Sequence, residues 1–334
     1  MPSSTANETT NWLPEGKRAA VVFTIDDVHP ASQQEHGYDA GGDGHDGVLG
    51  NLGWLLEQHP KLRATLFVPA DWRETSPFPT RRLMARIPLL RHHLHQTRRL
   101  PKGTMRIDRH PHFVDCLNAL PRTDFALHGL HHLGPGAAVT AEFSTKSRRQ
   151  SRRALQSAMS ILQKSGLAFV PGLCPPGWVA SNALRSAMSD LGLNFLASAR
   201  DVMTPISPRA RTAMSGMLGA PLFQPSVIGP RKLIHFTSNF AANNPLERAY
   251  QIIDAGGLLA VKAHILKHYH GHTAVDGLDA SYRDFLDHVF SHLHRRYGDG
   301  LWWTSMNTVA QRCLAGHASA DPIESPERQR QRVG

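Results

Sequence analysis

Two adjacent carboxylates follow a short apolar run near the start of the chain. Asp26 and Asp27 come directly after Ala19 to Ile25, whose β-branched, aromatic and small residues predict a buried strand. Consecutive side chains of an extended chain point in opposite directions, so one carboxylate can bind a metal ion while its neighbour accepts protons. The structural alternative is that the pair begins a turn or caps the following helix.

His128 and His132 form a second pair with metal-binding potential. A spacing of four predicts two imidazoles on one side of a helical turn, and two histidines with one carboxylate suit a divalent ion. Spacing alone is weak evidence, because the chain has 21 histidines and the same spacing recurs at 264/268, 268/272 and 288/292. Only the 128/132 pair is judged both to follow a predicted core strand directly and to stand downstream of a strand that ends in two carboxylates. His131 would face elsewhere on a helical turn, and we predict that it supports the site or lies at the surface.

His264 is a candidate general acid. It ends the apolar run Leu258 to Ala263, and (β/α) barrels place catalytic groups at the carboxyl ends of their strands. A structural histidine at the barrel mouth is the alternative. The run of His264, His268, His270 and His272 could also bind a metal, but the sequence connects no carboxylate-bearing strand with it.

Repeated strand and helix patterns must position these residues. The patterns predict strands near 19–25, 64–69, 124–127, 168–170, 194–197, 232–236, 258–263 and 301–304. They predict helices near 48–56, 147–165, 182–191, 245–255 and 281–297, and from 307 onward. Such alternation, with polar residues at strand ends, predicts an α/β protein with a distorted (β/α) barrel of about seven strands.

A single domain over residues 18–316 is expected. Residues 71–121 lose the regular alternation, which indicates a loop-rich insertion that could shape a substrate pocket together with the Gly-rich loop 37–47. Residues 1–17 are expected to be a flexible N-terminus. Residues 317–334 are polar and charged, which predicts a disordered tail.

Composition restricts the class of protein. The 334 residues are 41% hydrophobic, and the net charge is +10. Arginine pairs such as 148/149 and 152/153 are typical of a solvated helix face, so we do not expect a nucleic-acid partner. Three widely spaced cysteines argue against a disulfide framework and against a thiolate zinc motif. Because residues 1–16 lack a signal-peptide pattern and no apolar run could span a membrane, we expect a cytoplasmic protein without a membrane partner.

Four motifs, taken in order, resemble the polysaccharide deacetylase (NodB-homology) family, of the carbohydrate esterase 4 type. The family patterns are Thr-Phe-Asp-Asp, His-(Ser/Thr)-x-x-His, Arg-x-Pro-x-Gly and a late Leu-x-His. The corresponding segments here are Phe23-Thr24-Ile25-Asp26-Asp27, His128-Gly129-Leu130-His131-His132, Pro175-Pro176-Gly177-Trp178 and Leu259 to His264. The resemblance covers about residues 19 to 310, and the first two motifs match most closely.

The resemblance implies a role for each motif residue. Asp26 would be the general base, and His264 would protonate the leaving amine. Asp27, His128 and His132 would bind one divalent metal ion, with zinc expected first and Co, Ni, Mn or Fe as alternatives.

The third motif would contact the substrate. Pro176, Gly177 and Trp178 are assigned to substrate binding, and a backbone N–H near Gly177 would help to stabilise the oxyanion. Trp178 offers a face on which a sugar ring can stack. A tryptophan that packs against the barrel end is an equally good explanation.

Three departures separate this sequence from the family patterns. Gly129 replaces the usual Ser/Thr, and residues 261–264 follow the late motif only loosely. Cys174 stands where the family has the arginine that pairs with the catalytic aspartate, and Gly177 comes one position early. Either another cation replaces that arginine or the base is tuned differently, since loss of the partner lets burial raise the pKa of the aspartate.

The implied activity is removal of an N-acetyl group from an amino sugar or a sugar-bearing small molecule. Hydrolysis of another non-peptide C–N bond, in a formamide or cyclic imide, would use the same site. A catalytically silent barrel that binds a carbohydrate is the alternative from another class, and Cys174 motivates it. The sequence leaves the oligomeric state open.

Overall fold

The computed structural model describes residues 12–31, 38–39, 47–74, 99–134, 141–229, 232–269 and 272–320. Most of the predicted flexible N-terminus, of the loop 37–47 and of the predicted tail lies outside the described residues, as do residues 75–98 of the predicted insertion.

Strands and helices alternate along the chain. The strands are β1 (Ala19–Asp26), β2 (Tyr38–Asp39), β3 (Ala64–Val68), β4 (Asp71–Trp72), β5 (Met105–Arg106), β6 (Thr123–Leu127), β7 (Phe169–Leu173), β8 (Phe195–Arg200), β9 (Ser226–Ile228), β10 (Leu233–Ser238), β11 (Leu258–His264), β12 (Leu266–Tyr269), β13 (His272–Thr273) and β14 (Leu301–Trp303). The helices are α1 (Gly47–Gln58), α2 (Pro111–Ala119), α3 (Arg148–Ser165), α4 (Asn182–Asp190), α5 (Leu246–Asp254), α6 (Ala280–Tyr297) and α7 (Met306–Ala320).

One mostly parallel sheet organises the fold. Its strand order is β11-β1-β3-β6-β7-β8-β10-β9, and β14 pairs with the start of β1. Strand β9 is antiparallel to β10, whereas the other pairs of this sheet are parallel. The α/β class with a parallel sheet is therefore confirmed, and closure into a seven-stranded barrel stays a prediction.

Three regions are more ordered than the sequence suggested. Helix α2 lies inside the predicted insertion 71–121 and buries Phe113, Val114 and Leu117 in the core. At the N-terminus, Trp12 is buried and its Nε1 donates to Gln224 Oε1 at 2.7 Å. Helix α7 also continues to Ala320, beyond the expected start of the tail at 317.

Local sequence explains why the longer elements form where they do. Helix α3 begins with a capping box, in which the Ser147 side chain accepts from the Gln150 backbone N–H and the Gln150 side chain accepts from Ser147 N–H. It ends at Gly166, whose φ of +81° is the left-handed conformation that closes a helix. Its arginines at 148, 149, 152 and 153 are exposed, as the sequence analysis predicted.

Parallel pairing brings the motif residues to one edge of the sheet. The carboxyl ends of β1, β6, β7 and β11 lead into Asp26, His128, Cys174 and His264. In the β1–β11 register Asp26 is opposite His264, and Thr24 is opposite Lys262. The carboxyl edge of such a sheet is where α/β proteins bind ligands.

Within the described residues, no helix is both long enough and apolar enough to cross a bilayer.

Candidate functional site

Asp27 is the centre of a buried carboxylate–histidine group. Its Oδ1 lies 2.7 Å from His128 Nε2 and 3.1 Å from His132 Nε2, and all three side chains are at most 5% exposed. One donor atom from each residue fits within 4.8 Å of the others. One carboxylate and two imidazoles are a donor set that suits zinc and other first-row divalent ions, so the residues fit the expected metal.

Two residues of this group have a strained backbone conformation. Asp27 has a φ of +68° directly after β1, and His132 has a φ of +53°. Such values are uncommon for residues other than glycine, and they concentrate at functional sites. The predicted helical turn at 128–132 is wrong, because the segment is a loop that bends at Gly129 (φ +78°) and His132. The bend, rather than a helical spacing, brings the two imidazoles together.

Glu74 and Trp72 orient His132. Glu74 Oε2 accepts a hydrogen bond from His132 Nδ1 at 2.8 Å, and the Trp72 ring stacks on the imidazole with centroids 4.3 Å apart. Burial would lower the pKa of His132, but Asp27 and Glu74 together raise it to about 9. A carboxylate on the outer nitrogen is the usual support of a metal-binding histidine. Glu74 was not among the predicted site residues, because it lies in the region interpreted as an insertion.

Glu142 explains the glycine in the second motif. Its Oε2 accepts the backbone N–H groups of residues 130, 131 and 132, each at 3.0 Å. A Cβ added to Gly129 would lie 2.6 Å from that oxygen and 3.0 Å from Pro176 Cγ. The buried carboxylate therefore supports the loop in this chain and leaves no room for a serine or threonine at 129.

Lys262 supplies the cation that the third motif lacks. Its Nζ lies 2.5 Å from Asp26 Oδ2, and both side chains are 1% exposed. Burial alone would raise the pKa of Asp26, but attraction by Lys262, assisted by His128 and His264, holds that pKa below its ordinary value. The other carboxylate oxygen, Asp26 Oδ1, is buried without a hydrogen-bond partner in the described structure.

Cys174 lies beside this ion pair. Its Sγ donates to Asp26 Oδ2 at 3.3 Å and is 4.0 Å from Lys262 Nζ. Asp26, His128 and Cys174 form a second group with metal-ligand spacing. It is the weaker candidate, because burial and the Asp26 charge raise the pKa of the thiol and so oppose the thiolate form that binds metals.

His264 faces Asp26 and is held by a loop carboxylate. Its Nε2 is 3.8 Å from Asp26 Oδ2, and its Nδ1 is 2.9 Å from Asp276 Oδ2. The latter contact lies off the hydrogen-bonding direction of the ring, so its attraction is mainly electrostatic. Asp276 also pairs with Arg200 Nη2 at 3.1 Å, and its carbonyl accepts the His264 backbone N–H at 2.8 Å. Burial lowers the pKa of His264 despite Asp276, which makes the neutral imidazole its resting form at pH 7.

The third motif forms one wall beside His264. Pro176, Gly177 and Trp178 make a short 3₁₀ turn in which Gly177 and Trp178 both have a positive φ. The Trp178 ring meets His264 edge-on at 5.9 Å, and the Arg200 guanidinium lies 5.7 Å from its centroid. Trp178 is partly exposed, so part of its surface is open to a ligand.

A second lysine reaches the metal-ligand group. Lys267 Nζ, from β12, lies 2.7 Å from Asp27 Oδ2, on the oxygen that the histidines do not contact. Burial would raise the pKa of Asp27, but Lys267 and His132 hold it well below its ordinary range. Lys267 was not among the predicted site residues.

The other histidines considered in the sequence analysis lie apart from the triad of Asp27, His128 and His132 or outside the described residues. His131 Nδ1 is 3.3 Å from Asp71 Oδ2, so His131 supports the loop and does not join the group around Asp27. His270 and the side chains of His268 and His272 lie outside the described residues. The rings of His288 and His292 are neighbours along α6, tilted by 42° with centroids 4.3 Å apart.

The chain is similar to known proteins in its structure, whereas comparisons of its sequence found no match. No protein-family model matches the chain, and no curated protein matches it. A solved structure from Mycobacterium smegmatis, assigned as a polysaccharide deacetylase, is similar with a TM-score of 0.54 and 14% identity over 91% of this chain and 93% of that one. Agd3, described as a novel carbohydrate deacetylase, is similar with a TM-score of 0.52 and 11% identity over 90% of this chain. The match covers 54% of Agd3, about half of its length.

These likenesses identify the fold. It is the NodB-like fold of the carbohydrate esterase 4 deacetylases, as the motifs led us to expect.

Proposed function

We propose that this protein is a metal-dependent hydrolase that removes an N-acetyl group from an amino sugar or a sugar-bearing small molecule. One observation carries the proposal: a buried group of Asp27, His128 and His132 adjoins a second carboxylate, Asp26, that faces His264. The fold supports it, because the similar solved structures carry the names of carbohydrate deacetylases. A distorted barrel is part of the proposal, supported by the bridge between Phe240, after β10, and Val261 of β11.

Asp27, His128 and His132 would hold the divalent ion, with zinc as the first candidate. Such an ion supplies Lewis acidity that acidifies water and polarises the acyl carbonyl. Co, Ni, Mn or Fe would fit the same donors.

Asp26 would accept the proton from the attacking water. The Lys262 ammonium keeps this carboxylate ionised inside the protein, and Asp26 Oδ1 is the oxygen without a partner. An ionised carboxylate with one open oxygen is a competent general base. The buried ion pair thus gives Asp26 the charge that burial would otherwise suppress.

His264 would deliver the proton to the leaving amine. Its Nε2 lies 3.8 Å from Asp26 Oδ2, so a proton taken up by the carboxylate would pass to the neutral imidazole through one bridging water or the substrate amine. Asp276, 2.9 Å from Nδ1, stabilises the imidazolium that forms. The amine then leaves in its neutral form, which lowers the barrier to C–N cleavage.

Trp178 would stack on the sugar, with Pro176 and Gly177 forming the adjoining wall.

A cytoplasmic location is part of the same proposal, and the three free cysteines are consistent with a reducing compartment. An intracellular glycoconjugate precursor is therefore preferred to an extracellular polymer as substrate.

The deciding experiment measures metal content and acetate release together. The purified protein and the double variant His128→Ala/His132→Ala are assayed with N-acetylglucosamine derivatives. We expect near-stoichiometric metal and acetate release from the native protein, and loss of both from the variant. The matched control is His288→Ala/His292→Ala, which removes another histidine pair four residues apart, on α6.

Other outcomes separate the alternatives. Metal without acetate release would favour another non-peptide C–N bond, and formamides and cyclic imides are the next substrates. Absence of metal in the native protein would favour a carbohydrate-binding barrel without catalysis.

A further inference from the structure

Both oxygens of the Asp27 carboxylate are engaged by the protein itself. Oδ1 contacts the two imidazoles of the triad, and Oδ2 lies 2.7 Å from the Lys267 ammonium. Asp27 is 3% exposed, whereas the Lys267 side chain keeps 22% of its surface in solvent. Part of the Lys267 side chain therefore borders solvent, whereas the carboxylate that it contacts is buried.

An ammonium at this position opposes a divalent ion. Protonated lysine has no lone pair and cannot be a ligand, so it occupies a carboxylate oxygen without helping to bind the metal. Two positive charges a few ångströms apart in a poorly solvated site repel strongly. Asp27 is also the single anionic donor of the triad, and neutralising it weakens the attraction for any cation.

Asp26 and Asp27, at the end of β1, differ in how easily their lysine partners can move away from them. Lys262 reaches Asp26 from the sheet interior and is 1% exposed, so it has no solvated position within reach. Lys267 belongs to β12, a short strand that follows β11 after one residue and pairs with β2. Because its side chain already borders solvent, Lys267 can leave Asp27 at little cost in solvation.

We propose that Lys267 is an intrinsic competitor of the metal ion, which must be displaced from Asp27 before the ion binds. Lys267 thereby lowers metal affinity, so that a higher free metal concentration is needed to occupy the site. The inference rests on the proposed function in one respect, namely that a divalent ion binds to Asp27, His128 and His132.

Metal affinity tests this directly. The dissociation constant for Zn²⁺ is measured by competition with a chromophoric chelator, at fixed pH and ionic strength, on the full-length protein. We expect Lys267→Met, which keeps the length of the side chain and removes its charge, to bind Zn²⁺ about 10- to 100-fold more tightly than the native protein. Lys267→Arg, which keeps the charge, should stay within a few-fold of native affinity.

Lys61→Met is the matched control, because Lys61 pairs with Asp299 at 2.5 Å on a part of the surface remote from the triad. Its Zn²⁺ affinity should equal that of the native protein. Thermal unfolding of each metal-free variant verifies that the comparison is between folded proteins.

A second measurement follows Lys267 itself. The rate at which acetic anhydride modifies Lys267 is measured by mass spectrometry with and without Zn²⁺, with Lys61 as the internal reference. We expect Zn²⁺ to accelerate modification of Lys267, since the displaced amine is more exposed, and to leave Lys61 unchanged.

The outcomes distinguish this inference from the proposed function. Equal or weaker Zn²⁺ binding by Lys267→Met, with native binding intact, would overturn the competitor role and leave the metal site standing. Absence of Zn²⁺ binding in the native protein and in all variants would overturn both. Zn²⁺ binding by Lys267→Met but not by the native protein would support the competitor role, because Lys267 would then prevent metal binding altogether.

Discussion

The Nζ atom of Lys262 lies 2.5 Å from Oδ2 of Asp26, in a part of the site where neither side chain exceeds 1% exposure. The β1–β11 register creates this contact, because Lys262 is opposite Thr24, two residues before Asp26. Cys174 contacts the same carboxylate oxygen from β7. The positive charge therefore reaches the carboxylate from a different strand than the resemblance implied.

Removal of the Lys262 charge should destabilise the protein. We expect Lys262→Met to lower the free energy of unfolding by about 3–5 kcal/mol, since it leaves the Asp26 carboxylate buried without its partner. Adding Asp26→Asn to this variant should restore much of the loss, because the uncompensated charge is then gone. Urea unfolding of the two single variants and the double variant measures the coupling. Additive losses would contradict a direct ion pair.

A positive charge moved from position 262 to position 174 should restore part of the deacetylase activity that is lost with Lys262. We expect Lys262→Met to reduce kcat/KM for acetate release by about 100-fold or more, as the loss of an electrostatic partner does at other catalytic groups. Cys174→Arg in the same variant should recover part of that loss, because Cys174 Sγ and Lys262 Nζ approach the same oxygen of Asp26. Cys174→Arg in the native background is the control, and two cations around one carboxylate should make it less active than the native protein. No recovery in the double variant would mean that Lys262 acts through packing.

Most core strands and the motif residues could be predicted from the sequence. Apolar runs that end in a polar residue predicted the strands ending at Asp26, His128 and His264, because buried parallel strands leave little choice of residue type. The boundaries of the eight predicted strands differ from the observed ones by at most three residues. Alternation of strands and helices then sufficed for the α/β class.

The supporting residues were not predictable in the same way. Glu74 and Glu142 act through a bend of the loop 128–132, and a bend cannot be read from residue spacing. Lys262 did leave a signal, because a lysine inside an otherwise apolar strand requires a buried counter-charge. That requirement, combined with its position two residues before His264, pointed to the same edge of the sheet as Asp26.

A serine at position 129, as in the family pattern, should make this protein less stable and weaken its metal binding. We expect Gly129→Ser to lower stability and Zn²⁺ affinity, because the new Cβ would lie 2.6 Å from Glu142 Oε2 and disturb three backbone hydrogen bonds of the ligand loop. Gly166→Ser is the matched control, since Gly166 has a similar φ of +81° and no atom within 4 Å of an added Cβ. It should show only the conformational cost of about 1 kcal/mol. Thermal unfolding and chelator competition measure both effects, and equal losses in the two variants would argue against a role for Glu142.

Asp276 should matter for turnover more than for binding. We expect Asp276→Asn to reduce kcat by about 10- to 100-fold, as losses of supporting carboxylates commonly do, because the His264 imidazolium loses its counter-charge. KM should change little, since Asp276 supports His264 rather than the substrate wall. Steady-state kinetics separate the two parameters. A change confined to KM would assign Asp276 to substrate binding, together with its partner Arg200.

A histidine far from the metal-ligand group should control the acid sensitivity of the fold. His235 on β10 is 1% exposed, and neither ring nitrogen has a hydrogen-bond partner in the described structure. Burial, with a smaller contribution from Arg185, lowers the pKa of His235 to about 4. Its unfolded-state pKa is near 6.5. Above pH 6.5 both states are neutral at this residue, so it adds no pH dependence.

Between pH 6.5 and pH 4 the unfolded chain binds a proton that the folded protein refuses, and stability falls by about 1.4 kcal/mol per pH unit from this group alone. We therefore expect His235→Leu to lose less stability than the native protein as the pH decreases through this window. Urea unfolding at pH 7, 6 and 5 measures the difference, and His112→Leu, on an exposed position of α2, controls for the loss of a histidine. A difference between His235→Leu and the native protein that is constant with pH would show that His235 is protonated in the folded state as readily as in the unfolded chain.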